Sequence, residues 1–120
     1  MTTVLLVDDD PRMQVLGRKV LERHGYRVVV AADGVEAAAA ATQERFDVVL
    51  MDLEMPRVNG REAMKLLKAR QPDLPVVAVT AYAMAGDSER CRAEGFDDYI
   101  SKPYEITQLR SLVARLAGDH

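Results

Sequence analysis

The chain has 120 residues, 48% of them hydrophobic and 29% charged, with a formal net charge of −3. This is the size and composition of one globular domain, and it excludes a disordered chain. The sequence has no long basic run of the kind that binds nucleic acid, no apolar run near the ~20 residues of a membrane span, and no signal-peptide pattern at its start. We therefore expect one domain over residues 1–120, without nucleic-acid or membrane partners. The single cysteine, Cys91, fits a reducing compartment, so we expect the domain to be cytoplasmic.

Short apolar runs alternate with segments of helical spacing five times along the chain. The apolar runs cover, in order, residues 4–7, 28–30, 48–51, 75–79 and 99–101. The segments with a helical pattern cover, in order, residues 11–24, 34–45, 60–70, 84–94 and 105–117. Because the runs are apolar throughout, each strand is expected to be covered on both faces. The pattern predicts an α/β fold in which a parallel sheet lies between two helical layers.

The helix boundaries carry their own signals. Asp10 before Pro11 predicts an N-cap followed by proline in the first turn, and Asp33 predicts a second N-cap. Gly25 is placed to end the first helix. The fourth helical segment has a weak apolar stripe and contains Gly86, so we expect it to be poorly anchored and able to shift.

Polar residues follow four of the five apolar runs. Asp8 and Asp9 follow the first run, Asp52 the third, Thr80 the fourth and Lys102 the fifth. Since ligands bind at the carboxyl ends of strands in a parallel α/β sheet, these side chains are expected to share one site.

The chemistry of this set is coherent. Three neighbouring carboxylates repel one another unless a cation neutralises them, and an oxygen-only acidic cluster suits a hard ion such as Mg²⁺, for which Mn²⁺ can substitute. A bound cation also allows a carboxylate to attack a phosphoryl group and form an acyl phosphate. A lysine and a hydroxyl can then neutralise the phosphoryl oxygens. The site therefore predicts phosphoryl transfer that depends on positioning and charge.

Four stretches carry a resemblance to a known family. They are LLVDDDP, VVLMDLEMPRVNG, VVAVTAYA and DDYISKP, at residues 5–11, 48–60, 76–83 and 97–103. The chain resembles the response-regulator receiver domains of two-component systems, especially single-domain regulators and the receivers of hybrid histidine kinases. The resemblance implies a flavodoxin-like (βα)5 three-layer sandwich with strand order 2-1-3-4-5. It also implies that the donor is a histidine kinase or a histidine phosphotransfer protein.

The resemblance also implies a role for each acidic residue of the site. Asp52 would accept the phosphoryl group. Asp8, Asp9 and Asp52 would hold Mg²⁺, and Glu54 would contribute its backbone carbonyl. Such a domain is a signalling module rather than an enzyme, with slow autodephosphorylation at most.

The remaining family positions imply how the signal leaves the site. Thr80 and Lys102 would contact the phosphoryl group, and Tyr99 would turn inward when Thr80 moves. The face of the fourth helix, fifth strand and fifth helix would then bind a downstream protein, or a second copy of the domain in a phosphorylation-dependent dimer. Lys102-Pro103 matches the family's usual cis peptide, and Tyr82 is expected to shield the phosphoryl group from water.

Two other classes of protein remain as alternatives. A haloacid-dehalogenase-like phosphatase also uses a strand-end aspartate, and Asp8-Asp9-Asp10 contains its Asp-x-Asp pattern, but Arg12 stands where threonine or valine is expected. A docking module that never becomes phosphorylated would keep only the fold. All the acidic and phosphate-contact positions are filled, which favours the phosphoacceptor.

Overall fold

The computed structural model describes residues 2–54, 60–80, 87–102 and 105–118, with backbone only at residues 87 and 88. Its five strands are β1 (Thr3–Val7), β2 (Arg27–Ala31), β3 (Val48–Asp52), β4 (Val76–Thr80) and β5 (Asp98–Ser101). Its five helices are α1 (Pro11–Glu22), α2 (Gly34–Gln43), α3 (Gly60–Arg70), α4 (Asp87–Glu94) and α5 (Ile106–Leu116). Strand and helix alternate along the whole chain, as the sequence predicts.

The strands form one parallel sheet in the order β2-β1-β3-β4-β5. This confirms the α/β prediction and the strand order implied by the resemblance. From β1 the chain adds β2 on one side and then β3, β4 and β5 on the other, so the order of strands changes direction between β1 and β3. These two strands pair with each other, with Leu6 opposite Leu50. In open sheets of this kind the crevice at such a reversal is where ligands bind.

Alternate residues of the central strands feed two separate hydrophobic clusters. The first cluster takes residues such as Leu5, Val49 and Ala78, and it packs under α2, α3 and α4. The second takes Leu6 and Leu50, and it packs under α1 and α5. Every residue of β3 and β4 is buried, which explains why these runs are apolar throughout.

Two aspartates cap helices as predicted. The carboxylate of Asp10 accepts a hydrogen bond from the backbone N–H of Arg12, and that of Asp33 accepts one from Glu36. The side chain of Glu36 in turn accepts from the N–H of Ala32 at 3.0 Å. These bonds satisfy N–H groups that have no partner inside the helix, and they fix where α1 and α2 begin.

Among the described residues, the contacts that hold the short helix α4 lie in its C-terminal half and just beyond it. Cys91 is the one buried residue among its described side chains, and Phe96 is buried just beyond the helix. Glu94 pairs with Arg61 of α3. Gly95 has φ +115°, and a Cβ there would lie 3.2 Å from Met64 Cε. The start of the predicted segment, including Gly86, lies outside the described residues.

None of the helices in the described part of the chain combines the length and the apolar character that crossing a membrane requires.

Candidate functional site

The carboxyl edge of the sheet gathers the polar residues that the sequence predicts for the site. Asp52 and Thr80 end β3 and β4, while Asp8 and Lys102 directly follow β1 and β5. The sheet ladder continues past the strand ends, because the N–H of Asp8 donates to Ala31 O at 3.0 Å and that of Lys102 donates to Thr80 O at 2.9 Å. The backbone of these residues is therefore fixed by the sheet.

Three carboxylates come together at this edge. Asp8, Asp9 and Asp52 each place a carboxylate oxygen within 4.8 Å of the others. Asp8 and Asp52 are buried, at 0% and 1% exposure, whereas Asp9 is exposed. A buried carboxylate pair is unfavourable unless a positive charge compensates it.

The ammonium group of Lys102 supplies such a charge. Its Nζ lies 3.1 Å from Asp8 Oδ2 and 3.1 Å from Asp52 Oδ2. The lysine side chain is 17% exposed, so these ion pairs are screened less than pairs on the surface. Lys102 therefore bridges the two buried acids.

These contacts shift the pKa values of both partners. Burial raises the pKa of Asp8, and Asp52 adds to this effect, while the backbone N–H of Asp10 and the ammonium of Lys102 oppose it. Burial by itself lowers the pKa of Lys102, but its contacts with Asp8 and Asp52 outweigh burial and raise it. Lys102 is therefore held in its charged form.

The donor set fits a hard divalent cation. Asp8 Oδ2 and Asp52 Oδ2 are buried, and neither accepts a hydrogen bond of good geometry from the described residues. Lys102 compensates them through charge at 3.1 Å, which leaves lone pairs that a metal ion can use. With the nearby carboxylate of Asp9, the site offers oxygen ligands only, as Mg²⁺ prefers.

Neighbouring groups orient the carboxylates. Asp8 Oδ1 accepts from the N–H of Asp10 at 2.9 Å, and Asp52 Oδ1 accepts from the N–H of Glu54 at 3.0 Å. The side chain of Gln14 in α1 donates to the carbonyl oxygen of Asp8 at 2.7 Å. In each acid one oxygen is thus held by backbone while Oδ2 faces Lys102.

The hydroxyl of Thr80 is also engaged. Its Oγ1 donates to Glu54 Oε1 at 2.6 Å. The residues lie 26 positions apart in the chain, so the bond joins the end of β4 to the segment that follows β3. Thr80 is buried, at 6% exposure, and Glu54 is exposed.

The comparisons with known proteins identify the family of this chain. The family model described as the response regulator receiver domain matches residues 4–114. The chain belongs to the response regulator receiver domain family. Receiver domains act as phosphoacceptors in two-component signalling, and the acidic cluster of this chain fits that role.

Individual relatives of this receiver domain support the assignment. It is 38% identical over 119 residues to the polar-differentiation response regulator DivK of Brucella anthropi, covering 98% of this chain and 97% of DivK. It is 41% identical over 120 residues to the sensor protein GacS of Pseudomonas syringae pv. syringae, covering 96% of this chain but only 13% of GacS.

A solved structure also matches. The receiver domain of sensor histidine kinase PA1611 from Pseudomonas aeruginosa PAO1, which has a magnesium ion coordinated in its active-site cleft, superposes with a TM-score of 0.88 at 35% identity. The match covers 98% of each chain. The fold of this receiver domain is therefore that of its family.

The structure brings together the residues predicted for the site. Asp8, Asp9, Asp52 and Lys102 share the carboxyl edge. Thr80 ends the neighbouring strand, and Tyr99 is half-buried against the first hydrophobic cluster. The predictions for Tyr82 and for the peptide before Pro103 fall outside the described residues.

The sequence does not predict three contacts of the receiver domain. The Glu54 side chain accepts from Thr80, Gln14 contacts the backbone of Asp8, and Gly60 packs against the end of β3. A Cβ on Gly60 would lie 2.5 Å from the carbonyl oxygen of Asp52. The first two join residues that are distant in the sequence or in different elements, and no motif signals them. For Gly60, the Asn59-Gly60 pair predicts the beginning of a helix, but it does not predict the close contact with the end of β3.

Proposed function

We propose that this receiver domain accepts a phosphoryl group on Asp52 from a histidine kinase or a histidine phosphotransfer protein. The observation that carries the proposal is the bridging position of Lys102, whose Nζ lies 3.1 Å from oxygens of both Asp8 and Asp52. A cation between a buried nucleophile and a second acid matches what phosphoryl transfer needs, because the transferred group brings negative charge into the site.

Asp52 is the group that reacts. One of its carboxylate oxygens attacks phosphorus, the bond from phosphorus to the donor imidazole nitrogen breaks, and the imidazole leaves with the electron pair. Asp52 Oδ1 accepts from the backbone of Glu54 at 3.0 Å, while Oδ2 faces Lys102. This arrangement fixes the direction of the carboxylate, and positioning of this kind supplies a large part of a transfer barrier.

Lys102 and Thr80 receive the phosphoryl oxygens. The ammonium can leave its ion pair with Asp52 for the phosphoryl oxygens, where the charge is greater. Thr80 lies on the neighbouring strand, paired with β5 at Ser101, and its hydroxyl can donate to another oxygen. Slow autodephosphorylation is the only turnover that we assign to the domain.

Mg²⁺ is the cofactor that the donor set supports, held by Asp8, Asp9, Asp52 and the backbone carbonyl of Glu54. When bound, it neutralises the carboxylates and the incoming phosphoryl oxygens. Mn²⁺, which has similar oxygen preferences, is proposed to substitute.

The signal is proposed to leave through α4, β5 and α5. Tyr99 lies on β5 and packs against the first hydrophobic cluster, to which Cys91 of α4 also belongs. A groove beside it is lined by Asp98, Tyr99 and four residues of α5, namely Gln108, Ser111, Leu112 and Arg115. A rotation of Tyr99 would remodel this α4-β5-α5 face, where a downstream protein or a second copy in a phosphorylation-dependent dimer binds.

The test is intact mass after incubation with Mg²⁺ and a small phosphodonor. We expect wild type to gain one phosphoryl group, with no gain in Asp52→Asn and none when Mg²⁺ is chelated; Mn²⁺ is expected to restore it. Turnover of a small phosphate ester that is lost in Asp8→Asn and kept in Asp52→Asn would instead favour a haloacid-dehalogenase-like phosphatase. A folded wild type that is phosphorylated neither by the phosphodonor nor by histidine kinases would favour a docking module that never becomes phosphorylated.

A further inference from the structure

The hydroxyl of Thr80 is held by Glu54. Thr80 Oγ1 donates to Glu54 Oε1 at 2.6 Å, a length typical of a hydroxyl bonded to a charged carboxylate. Hydrogen bonds of this type are roughly twice as strong as neutral ones. Thr80 itself is 6% exposed, so water has little access to compete for the hydroxyl.

Glu54 is also tied to the acidic cluster. Its backbone N–H donates to Asp52 Oδ1 at 3.0 Å, while its side chain accepts from Thr80. The residue therefore links the carboxylate of β3 to the hydroxyl of β4. A change at Asp52 reaches Thr80 through two hydrogen bonds that a single residue makes.

A threonine hydroxyl has only one hydrogen to donate. That hydrogen can bond Glu54 or an oxygen of a group attached to Asp52, but not both. Negative charge added at Asp52 also repels the carboxylate of Glu54, a residue whose backbone N–H donates to Asp52 Oδ1. The two arrangements of Thr80 thus exclude each other.

We propose that Glu54 is a positioning residue that restrains Thr80 in the unphosphorylated state and competes with the phosphoryl group for its hydroxyl. This proposal rests on the phosphoacceptor function proposed for Asp52. The bond stabilises the state in which the Thr80 hydroxyl donates to Glu54, and donation of that hydroxyl to a phosphoryl oxygen must break it. Weakening it shifts the population toward the phosphoryl-bound arrangement.

The restraint is tested first in the unphosphorylated protein. Three-bond couplings to the Thr80 methyl group, measured by nuclear magnetic resonance, report its χ1 rotamer in wild type, Glu54→Gln and Glu54→Ala. We expect one rotamer in wild type, partial averaging in Glu54→Gln, which keeps a weaker neutral acceptor, and more averaging in Glu54→Ala than in Glu54→Gln. Asp73→Asn, which removes an exposed charge at the opposite edge of the sheet, is the control. An unchanged single rotamer in Glu54→Ala overturns the proposal.

The competition is tested by a double-mutant cycle with Thr80→Val. The probe is beryllofluoride, a stable mimic of an acyl-phosphate group, titrated in the presence of Mg²⁺. Removing the negative charge of Glu54 tightens the binding of any anion, so tighter binding of beryllofluoride in the wild-type background alone does not test the competition. We expect Glu54→Ala to tighten binding about fivefold more in the Thr80 background than in the Thr80→Val background, which corresponds to one net hydrogen bond.

Each outcome of the cycle has a definite meaning. If Glu54→Ala changes beryllofluoride affinity equally in the Thr80 and Thr80→Val backgrounds, Glu54 acts through charge alone. This result overturns the competition while leaving Asp52 as acceptor. A wild type that binds no beryllofluoride overturns both the competition and the proposed function. The rotamer measurement needs no phosphoryl group, so it judges the restraint separately.

Discussion

The ammonium of Lys102 lies 3.1 Å from a buried oxygen of Asp52. The same ammonium also pairs with Asp8. A permanent protein cation thus occupies the cluster in which a metal cofactor is proposed to bind. The domain consequently has a counter-charge for its acids that does not depend on metal concentration.

Removing this ammonium should make stability depend on metal. In Lys102→Met the carboxylates of Asp8 and Asp52 lose their counter-charge, and breaking such a buried pair costs about 3–5 kcal/mol of unfolding free energy at neutral pH. Because a divalent cation compensates the same oxygens, Mg²⁺ should restore most of this loss. Urea unfolding with and without Mg²⁺ measures both effects. Lys65→Met, at an exposed lysine of α3, is the control, and equal behaviour of the two variants would contradict the bridging role.

Gly60 should tolerate no side chain. A Cβ there would lie 2.5 Å from the carbonyl oxygen of Asp52 and 3.0 Å from Leu53 Cα, so α3 would have to move away from the end of β3. We expect Gly60→Ala to cost about 2–3 kcal/mol of unfolding free energy and to slow phosphorylation of Asp52.

Gly25→Ala is the matched comparison for this glycine. Gly25 has φ +87°, and no atom lies within 4 Å of the position that a Cβ would take there. That variant therefore carries only the backbone penalty of about 1 kcal/mol. Urea unfolding compares the two. A cost for Gly60→Ala no larger than that for Gly25→Ala would show that the close approach is easily relaxed.

The Asp10 cap should give a pH-dependent contribution to stability. The backbone N–H of Arg12 lowers the pKa of Asp10 below its ordinary value of 3.8. A carboxyl with a lowered folded-state pKa stabilises the fold above its unfolded pKa and loses that effect as pH falls through the folded pKa. Asp10→Ala should therefore unfold at a lower urea concentration than wild type at pH 7, and the gap should close below pH 3.8. A gap that stays constant down to strongly acidic pH would argue against the charged cap.

Asp98 joins α4 to α5. Its Oδ1 lies 3.5 Å from Arg92 Nη2 of α4, and its Oδ2 pairs with Arg115 of α5. These ion pairs are partly exposed and individually weak, but the described part of α4 buries only one side chain. We expect Asp98→Asn to speed amide hydrogen exchange in α4 about threefold while β3 and β4 are unaffected. Asp73→Asn serves as the control, and unchanged exchange in α4 would show that its C-terminal packing alone holds it.

The sequence predicts the elements and the site because both depend on local patterns. Uniformly apolar runs predict buried strands, and an acid, hydroxyl or lysine after four of these runs predicts the shared edge. The sequence predicts the ends of the helices less accurately. The predicted first helix includes His24, whereas α1 ends at Glu22, because the last turn tightens before Gly25 with its positive φ. The predicted second helix includes Glu44, which is extended and pairs with Arg27 instead.

What the sequence does not predict are contacts between distant side chains. Glu54 with Thr80, Arg61 with Glu94 and Asp98 with Arg115 each join segments that only the folded chain brings together. No spacing rule connects them, since polar side chains of this length have several possible partners at the surface. These hydrogen bonds and ion pairs are therefore visible only in the folded structure.

The division of the core into two clusters separates what must repack during a change of shape from what need not. Cys91 belongs to the first cluster and Tyr99 packs against it, while Val20 and Leu112 belong to the second. Because Cys91 and Val20 lie on opposite faces of the sheet, the costs of truncating these two side chains should simply add. A rearrangement of Tyr99 and α4 requires repacking of the first cluster only. The second cluster, under α1 and α5, can stay packed meanwhile, which lets the domain change one half while the other half keeps it folded.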